Sequence, residues 1–201
     1  MNSQKLLVHP GDALLVVDVQ RDFLPGGALA VPGGDAVIEP LNDALALCAA
    51  HGAAVFVSRD WHPPDHCSFV PQGGPWPPHC IAGTAGAMFA DGLRLAPDVH
   101  VVSKGAEPGR EAYSAFAGTD LEQQLREAGV RRLVVGGLAT DYCVLQTVLD
   151  ARRLGFDVVI LRDAIAAVDA RDGAKALDDM AAAGAHFASW REWVVQATEA
   201  R

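Results

Sequence analysis

The sequence is poor in the features that mark several large functional classes. No cluster of lysine and arginine occurs among its 201 residues, and the formal net charge is −9 at pH 7. A phosphate backbone or an anionic membrane surface therefore finds no complementary patch, which excludes nucleic acid and membrane as partners. Cysteine is scarce. The four residues Cys48, Cys67, Cys80 and Cys143 show no C-x-x-C spacing and are too few to staple a secreted domain of this size. They are expected to be free thiols or metal ligands. Long apolar runs are missing too: the stretch MNSQKLLVHPGDALLVVDVQ is broken by Pro10, Asp12 and Asp18, unlike a signal peptide, and no later segment is long enough to span a bilayer. The expectation is a cytoplasmic protein.

What the chain does have is hydrophobic residues at 50%, enough to bury a core in a single domain over residues 1–201. Short apolar runs at 13–17, 53–57, 99–102, 132–135 and 158–161, with a weaker one at 185–188, are each bounded by polar residues or glycine. Such runs suit strands buried on both faces. Between them, helical spacing covers 35–50, 120–128, 141–154 and 172–183, followed by Gly52, Gly129, Gly155 and Gly184 where a helix C-cap takes glycine. The alternation predicts right-handed crossovers and an α/β fold: a doubly wound, mainly parallel six-stranded sheet with helices on both faces. One irregular insert, rich in proline and glycine, runs from about 59 to 98. Unstructured segments of that length in a compact domain are usually functional.

In a parallel sheet the carboxyl ends of all strands share one edge, and ligands bind in the crevice there. The first strand leads to Asp18 (LLVVDVQ), the second to Asp60 and His62 (VFVSRDWH), the third to Lys104 (VVSKG), and the fourth through GLATD to Cys143. Thr140 is the expected N-cap of the following helix. Cys143 would then lie in its first turn, where free N–H groups and the helix dipole favour a thiolate. Val144, Leu145, Val148 and Leu149 define the expected core stripe, with Cys143 off its centre. Taken singly, Cys143 is also a small packing residue, Lys104 a solvated charge and Asp18 a loop or cap residue. Their convergence favours chemistry, because an acid can take the thiol's proton while an ammonium steadies both anions.

The insert carries a second constellation, RDWHPPDHCSFVPQGGPWPPHC at 59–80. Asp60 and His62, with His66 and His79, form a carboxylate and imidazole set that suits one divalent transition metal ion such as Zn, Fe or Mn. A competing arrangement builds a closed Cys2His2 site from His66-Cys67 and His79-Cys80, although these spacings fit no zinc-finger pattern. A third reading leaves the histidines as inert loop decoration. His9, His51, His100 and His186 have no comparable neighbours.

The stretches DVQRDF at 18–23, SRDWHPPDHCSF at 58–69, WPPHCIAGTAGA at 76–87, Lys104-Gly105 with YSAF at 113–116, and GLATDYCV at 137–144 resemble the nicotinamidases (pyrazinamidases) of the isochorismatase-like cysteine hydrolases. The resemblance covers residues 13–159. It implies hydrolysis of a small aromatic amide, nicotinamide or pyrazinamide, to acid and ammonia through a thioester, in the service of pyridine nucleotide salvage. It also implies a catalytic triad of Asp18, Lys104 and Cys143, metal ligands Asp60, His62 and His79 with His66 as a fourth position, and a metal that orients the pyridine nitrogen. Phe23 and Trp76 correspond to ring-holding walls, although without the family both would be read as core packing. Tyr113 and Tyr142 fall at further pocket positions. A cis peptide at Leu138-Ala139 and an oxyanion hole from the N–H groups of Ala139 and Cys143 are implied as well. The stretch GAEPGREA at 105–112 is longer than the family pattern, and Cys67 has no evident role. Rival readings are a hydrolase of another small amide (carbamoyl or ureido) and a non-catalytic metal- or ligand-binding module. A homo-oligomer is left open.

Overall fold

A computed structural model describes residues 6–195. Its strands are β1 (Leu6–Val8), β2 (Asp12–Val17), β3 (Ala54–Asp60), β4 (His100–Lys104), β5 (Arg132–Leu138), β6 (Asp157–Ala166), β7 (His186–Ala188) and β8 (Trp193–Val195). Strands β2 to β7 form one sheet in the order β4-β3-β2-β5-β6-β7, with every neighbouring pair parallel. The six expected strands are all present. The short pair β1 and β8, also parallel, was not expected, because three-residue strands are too short to show a pattern.

Helix α1 (Ile38–His51) covers one face, and α2 (Leu121–Glu127), α3 (Leu145–Arg153) and α4 (Ala170–Ala182) cover the other. The strand period of two sorts the side chains of β2 between them. Leu14 and Val16 pack with Leu41, Ala44, Leu45 and Cys48 of α1. Ala13, Leu15 and Val17 pack with Leu125 of α2, Val148 of α3 and Met180 of α4. Because both faces are covered, β2 reads as an unbroken apolar run. Each such Leu or Val, fully buried, stabilises the fold by about 1.5–3 kcal/mol.

The chain builds outward from β2 through β3 to β4, then returns to the other side of β2 for β5, β6 and β7. Strand order reverses between β2 and β5, and a crevice opens there at the carboxyl edge. Gly137 makes this junction possible. Its φ is +130°, and a Cβ there would lie 2.0 Å from the Val17 carbonyl oxygen, so only glycine permits the approach. The pairing of β5 with β6 shifts register between Val135 and Gly137, a bulge of the kind that redirects a chain beside a functional site. The insert after β3 folds back over this edge, with bridges joining His62 to Ile81, Phe69 to Trp76 and Gln20 to Phe89. No described helix is long and apolar enough to cross a membrane.

Candidate active site

Asp60 and Lys104 end adjacent strands and are register partners, while Asp18 follows β2 with a positive φ of +49°. All three are buried. The Lys104 ammonium lies 2.9 Å from Asp18 Oδ2 and 2.5 Å from Asp60 Oδ1, donates to the Ala112 carbonyl at 3.1 Å, and reaches Cys143 Sγ at 3.5 Å. Burial alone would strip its proton, but the two carboxylates hold it firmly cationic.

One cation cannot serve two buried anions equally. For Asp60, burial pushes the carboxyl up, but the Lys104 ammonium and the His62 ring more than offset this and hold it well below the ordinary range. For Asp18, burial prevails over Lys104, and its carboxyl titrates above the ordinary range. Two carboxylates pushed apart by their surroundings have different tasks available: one stays an anion, the other can accept a proton. The Ser58 hydroxyl donates to Asp18 Oδ1 at 2.7 Å. Asp18 Oδ2 is buried beside Lys104 but receives no aligned hydrogen bond, which leaves a lone pair for a proton arriving from elsewhere.

Cys143 is placed differently from the expectation. The turn Thr140–Val144 is π-helical, Ala139 occupies the N-cap position, and Thr140 makes no side-chain cap. The Val144 N–H donates to the Ala139 carbonyl at 3.1 Å. The extra residue in that turn rotates the stripe, so Val144, Thr147, Val148 and Ala151 are deepest while Leu145 and Leu149 are half-buried. Cys143 is itself buried at the edge of the core, with its sulfur and carboxylate oxygens of Asp18 and Asp60 all within 4.8 Å of one another. Burial pushes this thiol well up despite Lys104. Burial therefore works against the expected thiolate, which the Lys104 ammonium favours.

Asp60, His62 and His79 place one donor atom each within 4.8 Å of one another. Their hydrogen bonds fix the tautomers. His62 Nδ1 contacts the Gly105 carbonyl at 2.9 Å and His79 Nδ1 the Pro77 carbonyl at 2.8 Å. A carbonyl only accepts, so each Nδ1 carries a proton, and each Nε2 presents a lone pair whenever its ring is neutral. His62 Nε2 faces Asp60 Oδ2 at 3.6 Å, a gap that a proton or a divalent cation would fill. The donor set therefore fits such an ion. His66 differs. Its ring lies 4.1 Å from that of His62, but Nδ1 meets the Ser68 hydroxyl at 2.7 Å and Nε2 the Arg110 carbonyl at 3.0 Å, so both nitrogens are committed. Among the described residues Cys67 and Cys80 join no such cluster.

Cys143 lines a cleft together with Phe23, Trp76, Tyr113 and Tyr142, with Leu29, Val31, Val168, Asp60, His79 and Ala139 completing it. The Trp76 indole N–H donates to the Tyr113 hydroxyl at 2.9 Å. Tyr142 meets Trp76 edge to face with ring centroids 5.0 Å apart. All four predicted aromatic residues thus face one space. The Leu138-Ala139 peptide is cis. Sequence patterns missed Ser58, Leu29, Val31, Val168 and Gln20. The Gln20 side chain donates to the Asp60 carbonyl and accepts from the Asp60 N–H, both at 2.8 Å, clamping that residue from a distance of forty positions.

The isochorismatase domain family matches residues 12–192. The nicotinamidase of Escherichia coli (strain K12) is 39% identical over 92% of this chain and 97% of its own. A pyrazinamidase of Pyrococcus horikoshii, crystallised in complex with zinc, superposes with a TM-score of 0.87 at 47% identity, covering 90% of this chain and 99% of that one. The PnC1 protein of L. infantum, in complex with nicotinate, gives a TM-score of 0.87 at 37% identity over 95% and 98% of the two chains. With the motifs in order and the strand ends converging as described, the chain belongs to the isochorismatase-domain family of hydrolases, among its nicotinamidase relatives.

Proposed function

We propose that this protein is a nicotinamidase, hydrolysing the carboxamide of nicotinamide and of pyrazinamide to the acid and ammonia, with Cys143 as nucleophile. The observation that carries this reading is the single Lys104 ammonium set among Asp18, Asp60 and Cys143 Sγ, two of which, Asp60 and Cys143, line an aromatic cleft. The ligands of the zinc- and nicotinate-bound neighbours support the substrate class.

Asp18 Oδ2 takes the Sγ proton as sulfur attacks the amide carbon, while Lys104 remains a cation. The tetrahedral oxyanion faces the backbone N–H groups of Ala139 and Cys143, each donor worth roughly 3 kcal/mol. As the carbon–nitrogen bond breaks, Asp18 returns its proton to the nitrogen and ammonia leaves. Water then attacks the thioester carbon and gives a proton to Asp18. The carbon–sulfur bond breaks, the proton returns to Sγ, and the carboxylic acid departs. Phe23, Trp76, Tyr113 and Tyr142 hold the ring flat. Asp60, His62 and His79 would hold a divalent ion such as zinc, iron or manganese, and His66 could join only by giving up its Ser68 or its Arg110 bond. Such an ion, when bound, supplies a Lewis acid that orients a ring nitrogen.

The test is ammonia release from nicotinamide by the zinc-loaded protein, with Cys143→Ala prepared in parallel. Release that falls at least about a thousandfold in the variant is the expected result. No release from folded, metal-loaded protein rejects the reading and directs attention to carbamoyl and ureido amides. A binding module would keep its metal in Cys143→Ala and lose nothing else.

A further inference from the structure

Beside Cys143, Asp141 is a carboxylate for which the chemistry above has no use. Its Oδ1 accepts from the Val168 N–H at 3.0 Å and its Oδ2 from the Asp169 N–H at 2.9 Å. These two amides belong to the short connection between β6 and α4. Asp169 in turn caps α4, accepting from the N–H groups of Arg171 and Asp172 at 2.7 and 3.1 Å. One side chain therefore ties the nucleophile's turn, after β5, to the connection that follows the neighbouring strand β6. That connection carries Val168, whose side chain lines the cleft together with Tyr142 and Cys143. A β-branched residue has little rotamer freedom, so where the Val168 backbone sits decides how much of the cleft its methyl groups fill.

We propose that Asp141 is a positioning residue for ring specificity: by fixing Val168 it restricts the cleft to flat, unalkylated six-membered heteroaromatic carboxamides. The inference rests on the nicotinamidase reading and deepens it. The two carboxylate oxygens of Asp141 meet two adjacent N–H groups separately, one oxygen to each. An asparagine of the same shape has one acceptor and would turn an NH2 group toward the other N–H.

The experiment measures protection of Cys143 from iodoacetamide by nicotinate and by its ring-methylated isomers, alongside turnover of the matching amides, all on zinc-loaded protein. Wild type should favour the parent ring over at least one methylated isomer by about tenfold or more, the discrimination expected of one methyl against a fitted wall. Asp141→Asn should erase most of that preference while alkylation of the ligand-free thiol keeps its wild-type rate. Val168→Ala should erase it likewise, and Val168→Leu should sharpen it. Should Asp141→Asn not fold, Asp141→Ser, with a single hydroxyl acceptor, takes its place in the same comparison. Loss that falls equally on every ligand, or slowed alkylation of the free thiol with selectivity intact, would place Asp141 in the nucleophile's turn alone and overturn the proposal. So would a selectivity that moves with Val168 but not with Asp141. If no pyridine compound protects wild-type Cys143, the nicotinamidase reading fails and this inference fails with it, an outcome distinct from protection without discrimination.

Discussion

The two edges of the main sheet handle buried charge in opposite ways. At the amino edge Asp12 and Arg132 begin β2 and β5 as register partners, and the guanidinium meets both carboxylate oxygens at 2.9 and 2.5 Å. The fork geometry gives this anion a cation of its own, with Arg132 still 18% exposed. At the carboxyl edge one ammonium is shared by two carboxylates, and no side chain among Asp18, Asp60 and Lys104 exceeds 6% exposure. The first edge is complete and only stabilises. The second is one positive charge short: burial pushes the Asp18 carboxyl up and the Lys104 it shares with Asp60 does not bring it back, while the Asp60–His62 pair keeps room for a cation.

Removing the shared cation should have the largest effect. Lys104→Met leaves two buried carboxylates uncompensated, and breaking a buried pair in this manner costs about 3–5 kcal/mol. Urea denaturation should show that loss, together with abolished turnover. A variant that unfolds at the wild-type urea concentration would mean the edge is not short of charge at all.

Metal removal comes next. Chelation should abolish turnover and lower the thermal midpoint, with zinc restoring both, since an ion at 100 times its dissociation constant contributes about 2.7 kcal/mol. His79→Ala should lose stoichiometric zinc by elemental analysis. His66→Ala should keep it, because both His66 ring nitrogens already have protein partners. Zinc lost equally from both variants would make His66 a full ligand.

That contrast between two histidines shows where sequence stops being informative. His66-Cys67 and His79-Cys80 look alike as text, and only their hydrogen bonds separate them. The sheet was legible because strands buried on both faces must be apolar throughout, and part of the site was legible because β2, β3 and β4 give way abruptly to Asp18, Asp60 and Lys104. Cys143 lies five residues beyond β5 and was named from the turn GLATDYC that follows that strand. Other features leave no trace in a pattern. A π-turn differs from an α-turn by one residue and no composition, so Thr140 looked like a cap. Ser58 and Gln20 act on partners forty positions away. The opposition of burial to a thiolate could not be read from the sequence, because a helix terminus and a lysine are visible there, whereas burial is a property of the folded molecule.

A smaller effect should follow at Asp18. The Ser58 hydrogen bond favours the ionised carboxylate and so opposes the upward push of burial. The base works only when ionised, so kcat/KM falls as pH drops through the Asp18 pKa. Ser58→Ala removes an opposing influence, raises that pKa further and moves the acid limb to higher pH. A hydrogen bond to a charged group contributes about 1.5–3 kcal/mol, which corresponds to a shift of about one to two pH units. An acid limb that stays in place would assign it to a group other than Asp18.

The amino edge should give the smallest effect on turnover and a clear effect on stability. Arg132→Met strips a nearly inaccessible carboxylate of its countercharge, whereas Asp12→Asn leaves a guanidinium that water can reach. Both should destabilise, by about 1–3 kcal/mol, the range for charged hydrogen bonds lost in partly buried sites. The loss should be greater for Arg132→Met. Turnover per alkylatable Cys143 should match wild type in both, since the sheet that separates the two edges is rigid and its carboxyl end makes no contact with this pair. If Arg132→Met instead lowered turnover per active site at constant zinc, the edges would be coupled through β2 and β5, and the division between a stabilising edge and a reactive one would fall.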